Sequence, residues 1–72
     1  MPTPDMVPVD SSNIGRIGYD DSSEELYVEW TDGRTYVYSG VSDTTHQEFM
    51  NSDSKGGYLN REIKPNYECR PL

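Results

Sequence analysis

A chain of 72 residues with 32% hydrophobic side chains supports one small domain with one small core, and its six tyrosines and single tryptophan must supply much of the apolar area. The formal net charge of −7 disfavours long DNA or RNA as partners, because the overall field repels phosphates. One cysteine, Cys69, excludes an internal disulfide, no apolar run is long enough for a membrane span, and no secretory leader pattern is visible, so a reducing, cytoplasmic setting is expected.

Residues 1–9 contain three prolines, which neither continue a helix nor sit in a central strand, and they are read as a flexible extended arm. Within Ser11–Asp20, Ile14, Ile17 and Tyr19 are the apolar residues of a first strand. The Ile14 to Ile17 spacing breaks the period of two and predicts a bulge or bend near Gly15. After the polar turn Asp20-Asp21-Ser22-Ser23, residues 25–31 alternate, with Leu26, Val28 and Trp30 on one face and Tyr27 and Glu29 on the other. Asp32-Gly33 is a hairpin signal, and Arg34–Ser39 forms the third strand of an antiparallel meander.

The hairpin loop decides which tyrosines enter the core. A two-residue loop sets Val28 opposite Val37 and places Tyr27, Tyr36 and Tyr38 on the face away from Trp30. A three-residue loop with Gly33 left-handed sets Tyr36 opposite Val28 and Tyr38 opposite Leu26, because a one-residue slip exchanges the faces. The three-residue loop is favoured, since it gives a small core more apolar area, and it leaves Tyr27 as the more exposed aromatic.

Gly40 ends the sheet, Ser42 is a suitable N-cap, and residues 43–51 read as a short helix with Val41, Phe49 and Met50 as core contacts. Residues 54–63 begin as a glycine-rich turn and continue as a second short helix, with Tyr58, Leu59 and Ile63 at helical spacing, until Pro65. The tail from Asn66 offers a short edge strand through Tyr67. The expected fold is α+β: a three-stranded antiparallel meander packed with one or two short C-terminal helices.

Three segments carry a resemblance. They are Ser11-Ser12-Asn13-Ile14 with Ile17-Gly18-Tyr19-Asp20, Tyr36-Val37-Tyr38 with Gly40-Val41, and Ser54-Lys55-Gly56-Gly57-Tyr58-Leu59-Asn60 with Ile63. In this order they resemble the KTSC domain, a module found at the C-terminus of some lysyl-tRNA synthetases and as stand-alone bacterial and phage proteins. The resemblance covers residues 10–67 and implies a domain over 10–68, with 69–72 as a tail. Where the family commonly has a proline after the valine that precedes the helix, this chain has Ser42. An RNA-binding role has been suggested for the family; the acidity of this chain points away from long RNA.

The positive charge is concentrated late: residues 1–54 carry a net charge of −9 and residues 55–72 a net charge of +2. The candidate ligand site is therefore Lys55, Gly56, Gly57, Tyr58, Asn60 and Arg61, joined by Tyr36 and Tyr38. Adjacent glycine amides can cradle an anion, Lys55 and Arg61 supply charge, Asn60 can reach a base edge or sugar, and tyrosines on a sheet can stack on a base. The plain alternative is a tight turn over a packed Tyr58, with Tyr36 and Tyr38 as core. His46 has no second histidine or cysteine beside it, so no metal site and no catalytic residue is expected. No cofactor is implied. The expected function is a non-enzymatic binding module for a nucleotide-type anion, either a small or cyclic oligonucleotide or an RNA end, in a phage or bacterial accessory or counter-defence protein. The rival is an acidic protein-interaction module docking on a basic partner. A homodimer through open sheet edges is a further expectation.

Overall fold

The computed structural model describes residues 4–72. Five antiparallel strands form one sheet in simple meander order: β1 (Val7–Pro8), β2 (Ile14–Asp20), β3 (Glu25–Trp30), β4 (Thr35–Ser39) and β5 (Cys69–Pro71). Between β4 and β5 the chain forms α1 (Asp43–Met50), then α2 (Lys55–Tyr58), which widens into a π-helical turn over Leu59–Ile63.

The central three strands follow the sequence pattern closely. Pairing shifts between Ile14 and Arg16, which leaves Gly15 as the extra residue of a bulge, so Ile14 and Ile17 both reach the same face despite their odd spacing. Val28 pairs with Tyr36 and Leu26 with Tyr38, the register of the three-residue loop. Gly33 sits at φ +96, a left-handed conformation that admits glycine without cost, and its amide donates to the Trp30 carbonyl.

One face of the sheet builds the core. Ile14, Ile17, Leu26, Val28 and Tyr38 pack with Val41 and Phe49 around α1 and with Leu59 and Ile63 of the π turn, all 0–1% exposed. Full burial of an aliphatic or aromatic side chain of this kind contributes about 1.5–3 kcal/mol. Ser42 caps α1 by accepting the Thr45 amide proton, and Asp43 lies in its first turn. The Lys64 amide donates to the Leu59 carbonyl, closing the π turn and setting where Lys64 leaves the helix.

Four expectations about the elements are corrected. The sheet has five strands rather than three. Of the expected arm 1–9, residues 1–3 lie outside the described residues, while Val7 and Pro8 pair with Ile17 and Arg16. The tail adds the expected short edge strand, but through Cys69, Arg70 and Pro71, which pair with Tyr38, Val37 and Tyr36, whereas Tyr67 packs against the core. Gly56 and Gly57 lie within α2 rather than in a turn ahead of it, because the Ser54 hydroxyl accepts the Gly57 amide proton as an N-cap.

Tyr27 is 8% exposed and so is not the open aromatic the register suggested. On its face of the sheet one row runs Gly18, Tyr27, Val37, Arg70. Gly18 leaves room on this face that the arm fills: a Cβ there would lie 2.6 Å from Met6 Sδ and 3.2 Å from Pro4 Cγ. Arg70 pairs with Glu25 and Arg16 with Glu29 on either side, so Tyr27 and Val37 are enclosed without a second layer. Hydrogen bonds from these arginines hold the Glu25 and Glu29 carboxyls below the usual carboxylate range.

Candidate functional site

Two of the expected site residues, Tyr36 and Tyr38, line an open groove. It has a volume of about 700 Å³ and is lined by Asn13, Trp30, Thr31, Asp32, Arg34, Tyr36, Tyr38, Lys64 and Cys69. Each wall has a structural reason. Trp30 ends β3 on the core face, and Tyr36 and Tyr38 follow on β4 in the same face's alternation. Asn13 is held in a turn in which the Ser11 hydroxyl accepts the Asn13 and Ile14 amide protons, and its carbonyl accepts from the Thr31 amide.

The groove joins aromatic faces to positive charge. The Lys64 ammonium lies 5.1 Å from the Trp30 ring centroid, within cation–π range. Arg34 stands at the hairpin and donates to Asp32 through Nε and Nη2, which raises its pKa and lowers that of Asp32. Tyr38 is 1% exposed, and burial pushes its phenol up to about 12, so it stays a neutral wall at any ordinary pH. The Trp30 Nε1–H is buried without a protein acceptor among the described residues. A buried donor left unpaired costs about 1–3 kcal/mol.

The remaining expected residues do not line this groove. Lys55 Nζ donates to the Ser52 carbonyl at 2.8 Å, tying the end of α1 to the start of α2. The Gly57 amide is engaged by Ser54. Tyr58 stacks on Phe49 at 5.6 Å and donates its hydroxyl proton to Glu48. Burial, followed by the bond to Glu48, raises the Tyr58 pKa. Arg61 pairs with Glu62 at 3.3 Å, lies 6.0 Å from the Tyr58 ring, and borders a separate hollow with Asn51, Ser52, Asp53 and Ser54. Asn60 is exposed. Gly56 alone approaches the groove, since a Cβ there would lie 3.9 Å from Asn13 Nδ2.

Trp30, Lys64, Arg34 and Asn13 are among the groove residues that sequence reasoning did not select. Their usable signals were a tryptophan at the end of an alternating strand and a lysine directly after a helical stretch. Neither says which strand end meets which helix end.

A second hollow of about 340 Å³ lies on the β1–β2 side of the helices, lined by Asp5, Val7, Ile17, Gly18, Tyr19, Asp21, Asp43, His46 and Met50. Tyr19 and His46 stack at 4.4 Å with 10° between their planes, and the Tyr19 hydroxyl donates to the Val41 carbonyl at 2.6 Å. Burial holds His46 below its ordinary value, opposed more weakly by Asp43.

The KTSC domain family matches residues 10–67. A crystal structure of a KTSC domain protein from Yersinia pestis is 39% identical, superimposes with a TM-score of 0.88, and covers 94% of this chain and 96% of its own. A protein of Tsukamurella paurometabola is 34% identical over 67 residues, which is 93% of this chain and the whole of that protein. An uncharacterized protein of Stutzerimonas stutzeri is 33% identical over 61 residues, covering 85% of this chain and 86% of its own. With the family matched across most of its length and relatives aligned nearly end to end, the chain belongs to the KTSC domain family.

Proposed function

We propose that this KTSC domain is a non-enzymatic binding module for a nucleotide-type anion, held in the groove between the β3–β4 hairpin and Lys64. The observation that carries the reading is the juxtaposition of Trp30 and Tyr36, backed by the buried Tyr38, with the Lys64 ammonium in one open groove. Base–aromatic stacking contributes about 1–3 kcal/mol per base and tolerates any base, since every base has a π face. Asn13 and Thr31 supply polar groups at the rim. The ligand is small: a mononucleotide, a short cyclic oligonucleotide or an RNA end. A chain with net charge −7 repels a long polyanion while one local cation holds a single phosphate. A stoichiometric binder of this kind suits an accessory or counter-defence protein that sequesters its ligand.

The absence of chemistry in this reading is supported by the placement of the reactive side chains. Cys69 lies at the groove and His46 on the opposite flank, stacked on Tyr19.

The test is a thermal-shift series with mononucleotides, cyclic dinucleotides and short oligoribonucleotides. A ligand at a hundredfold excess over its Kd stabilises the fold by about 2.7 kcal/mol. The shift should vanish in Trp30→Ala and persist in Lys55→Ala. No shift with any of the compounds, on protein shown to be folded, sinks the reading.

The rival reading is a docking surface for a basic partner. It is favoured by Asp5, Asp21 and Asp43 around the second hollow, none of which pairs with a cation among the described residues. Under it, neutralising Asp20, Asp21, Glu24 and Glu25 weakens partner binding and groove substitutions are silent.

A further inference from the structure

Resting on the groove reading, we propose that Lys64 determines its specificity: the ammonium occupies the Trp30 face until a ligand supplies both a flat ring and a phosphate. The argument begins with the cations. Arg16, Arg34, Arg61 and Arg70 each pair with a carboxylate, from Glu29, Asp32, Glu62 and Glu25 respectively. Lys55 donates to the Ser52 carbonyl. Among the described residues Lys64 is the one cation with neither an ion pair nor a hydrogen bond from its side chain. Its partner is the π face of Trp30, with 5.1 Å to the ring centroid.

The backbone holds that lysine in place while its side chain remains free to turn. The Lys64 amide closes the π turn on the Leu59 carbonyl at 2.8 Å, above the buried Leu59 and Ile63, so its Cα is fixed to the core. The residue itself is exposed, with four rotatable carbons between that anchor and the ammonium. π turns recur at functional sites, where they redirect one side chain.

The Trp30 face that a base needs is therefore the face the ammonium covers. A nucleoside must displace the ammonium and leaves it without a partner in exchange. Inorganic phosphate gains the ammonium but nothing to stack. A nucleotide does both: the ring takes the Trp30 face, and the ammonium swings to a phosphate oxygen, where a charge-assisted hydrogen bond exceeds the cation–π contact. Binding then depends on salt through the phosphate arm and little through the ring.

The chain's single tryptophan makes this directly readable. Trp30 fluorescence is followed in the full chain during titration with adenosine, AMP and inorganic phosphate, in the native protein and in Lys64→Met and Lys64→Gln, each checked by circular dichroism for native secondary structure. In the native protein, AMP should bind about tenfold or more tighter than adenosine. Both variants should lose that preference: AMP weakens toward adenosine, while adenosine improves about two- to fivefold because the face is uncovered. If the variants keep the AMP preference, or weaken both ligands equally, Lys64 is not the specificity residue, though the groove stands. If neither adenosine nor AMP perturbs native Trp30, the groove reading itself fails.

Discussion

Replacing Tyr27 with alanine separates two pictures of the sheet's outer face. Its place in an alternating strand, opposite Trp30, makes it a surface residue, and surface substitutions change stability by about 0.5 kcal/mol or less. The structure instead leaves it 8% exposed, between Gly18 and Val37, with the Met6 thioether over Gly18. Buried aromatic-to-alanine changes cost about 3–5 kcal/mol. Among the described residues no helix covers this face, so Met6 and the stem of Arg70 can settle into the gap, and the expected cost falls to about 2–3 kcal/mol. A domain of this length has about 4–11 kcal/mol in total. The loss should lower Tm by about 8–24 °C. Urea denaturation followed by circular dichroism measures it, with Tyr27→Phe as the control that keeps the ring and should stay within about 0.5 kcal/mol of the native protein. If Tyr27→Ala matches that control, the ring is not packed, and the account of the arm as a cover for this face is wrong.

Three further outcomes are expected. Gly40→Ala, at φ +78 with open space around its Cβ position, should cost about 1–2 kcal/mol from backbone strain alone, read as a lower urea midpoint at unchanged m. Ser42→Ala should cost about 1 kcal/mol by removing the acceptor for the Thr45 amide, and Ser42→Asp should restore most of it. Because burial holds His46 below its ordinary value of 6.5, the unfolded chain takes the proton first as pH falls, so stability declines from about that pH until the folded ring titrates. His46→Gln should flatten this step in a pH series of urea midpoints. The loss due to Glu25 and Glu29, both held below 4.5, should remain at lower pH, because their stabilisation is present above that value and disappears as pH falls through their folded pKa.

The parts of the fold legible in the residues are those fixed by local chemistry. The odd spacing of Ile14 and Ile17 required a bulge, Gly33 required a left-handed loop residue, and Ser42 required a helix start; each is where the pattern placed it. The N-terminal edge strand and the exact place of the C-terminal one were hidden because Val7–Pro8 and Cys69–Pro71 are too short to show a period and each contains a proline, a residue confined to sheet edges. Those prolines also blunt both edges of the sheet, which weakens the case for a dimer formed by strand pairing. The burial of Tyr27 depends on the empty space at Gly18 and on a distant methionine, neither visible in strand alternation.

The candidate site divides in the same way. Tyr36 and Tyr38 were legible as a tyrosine pair on one face, and the register places them in the groove wall. Their cationic partner was not legible. The Lys55–Arg61 segment carries the charge that sequence alone would choose, but Lys55 is used to fasten α1, and the ammonium that reaches the aromatic groove belongs to Lys64. That choice is made by the π turn, a backbone detail with no residue signature here.

Amide and indole chemical-shift mapping by two-dimensional NMR, with the bound nucleotide titrated into the labelled chain, tests the placement of the site most directly. The account predicts shifts concentrated at Asn13, the Trp30 indole N–H, Tyr36 and Lys64, with Lys55 to Arg61 nearly unmoved apart from Gly56 beside Asn13. Shifts centred on Gly57, Asn60 and Arg61, with a silent Trp30 indole, would contradict it.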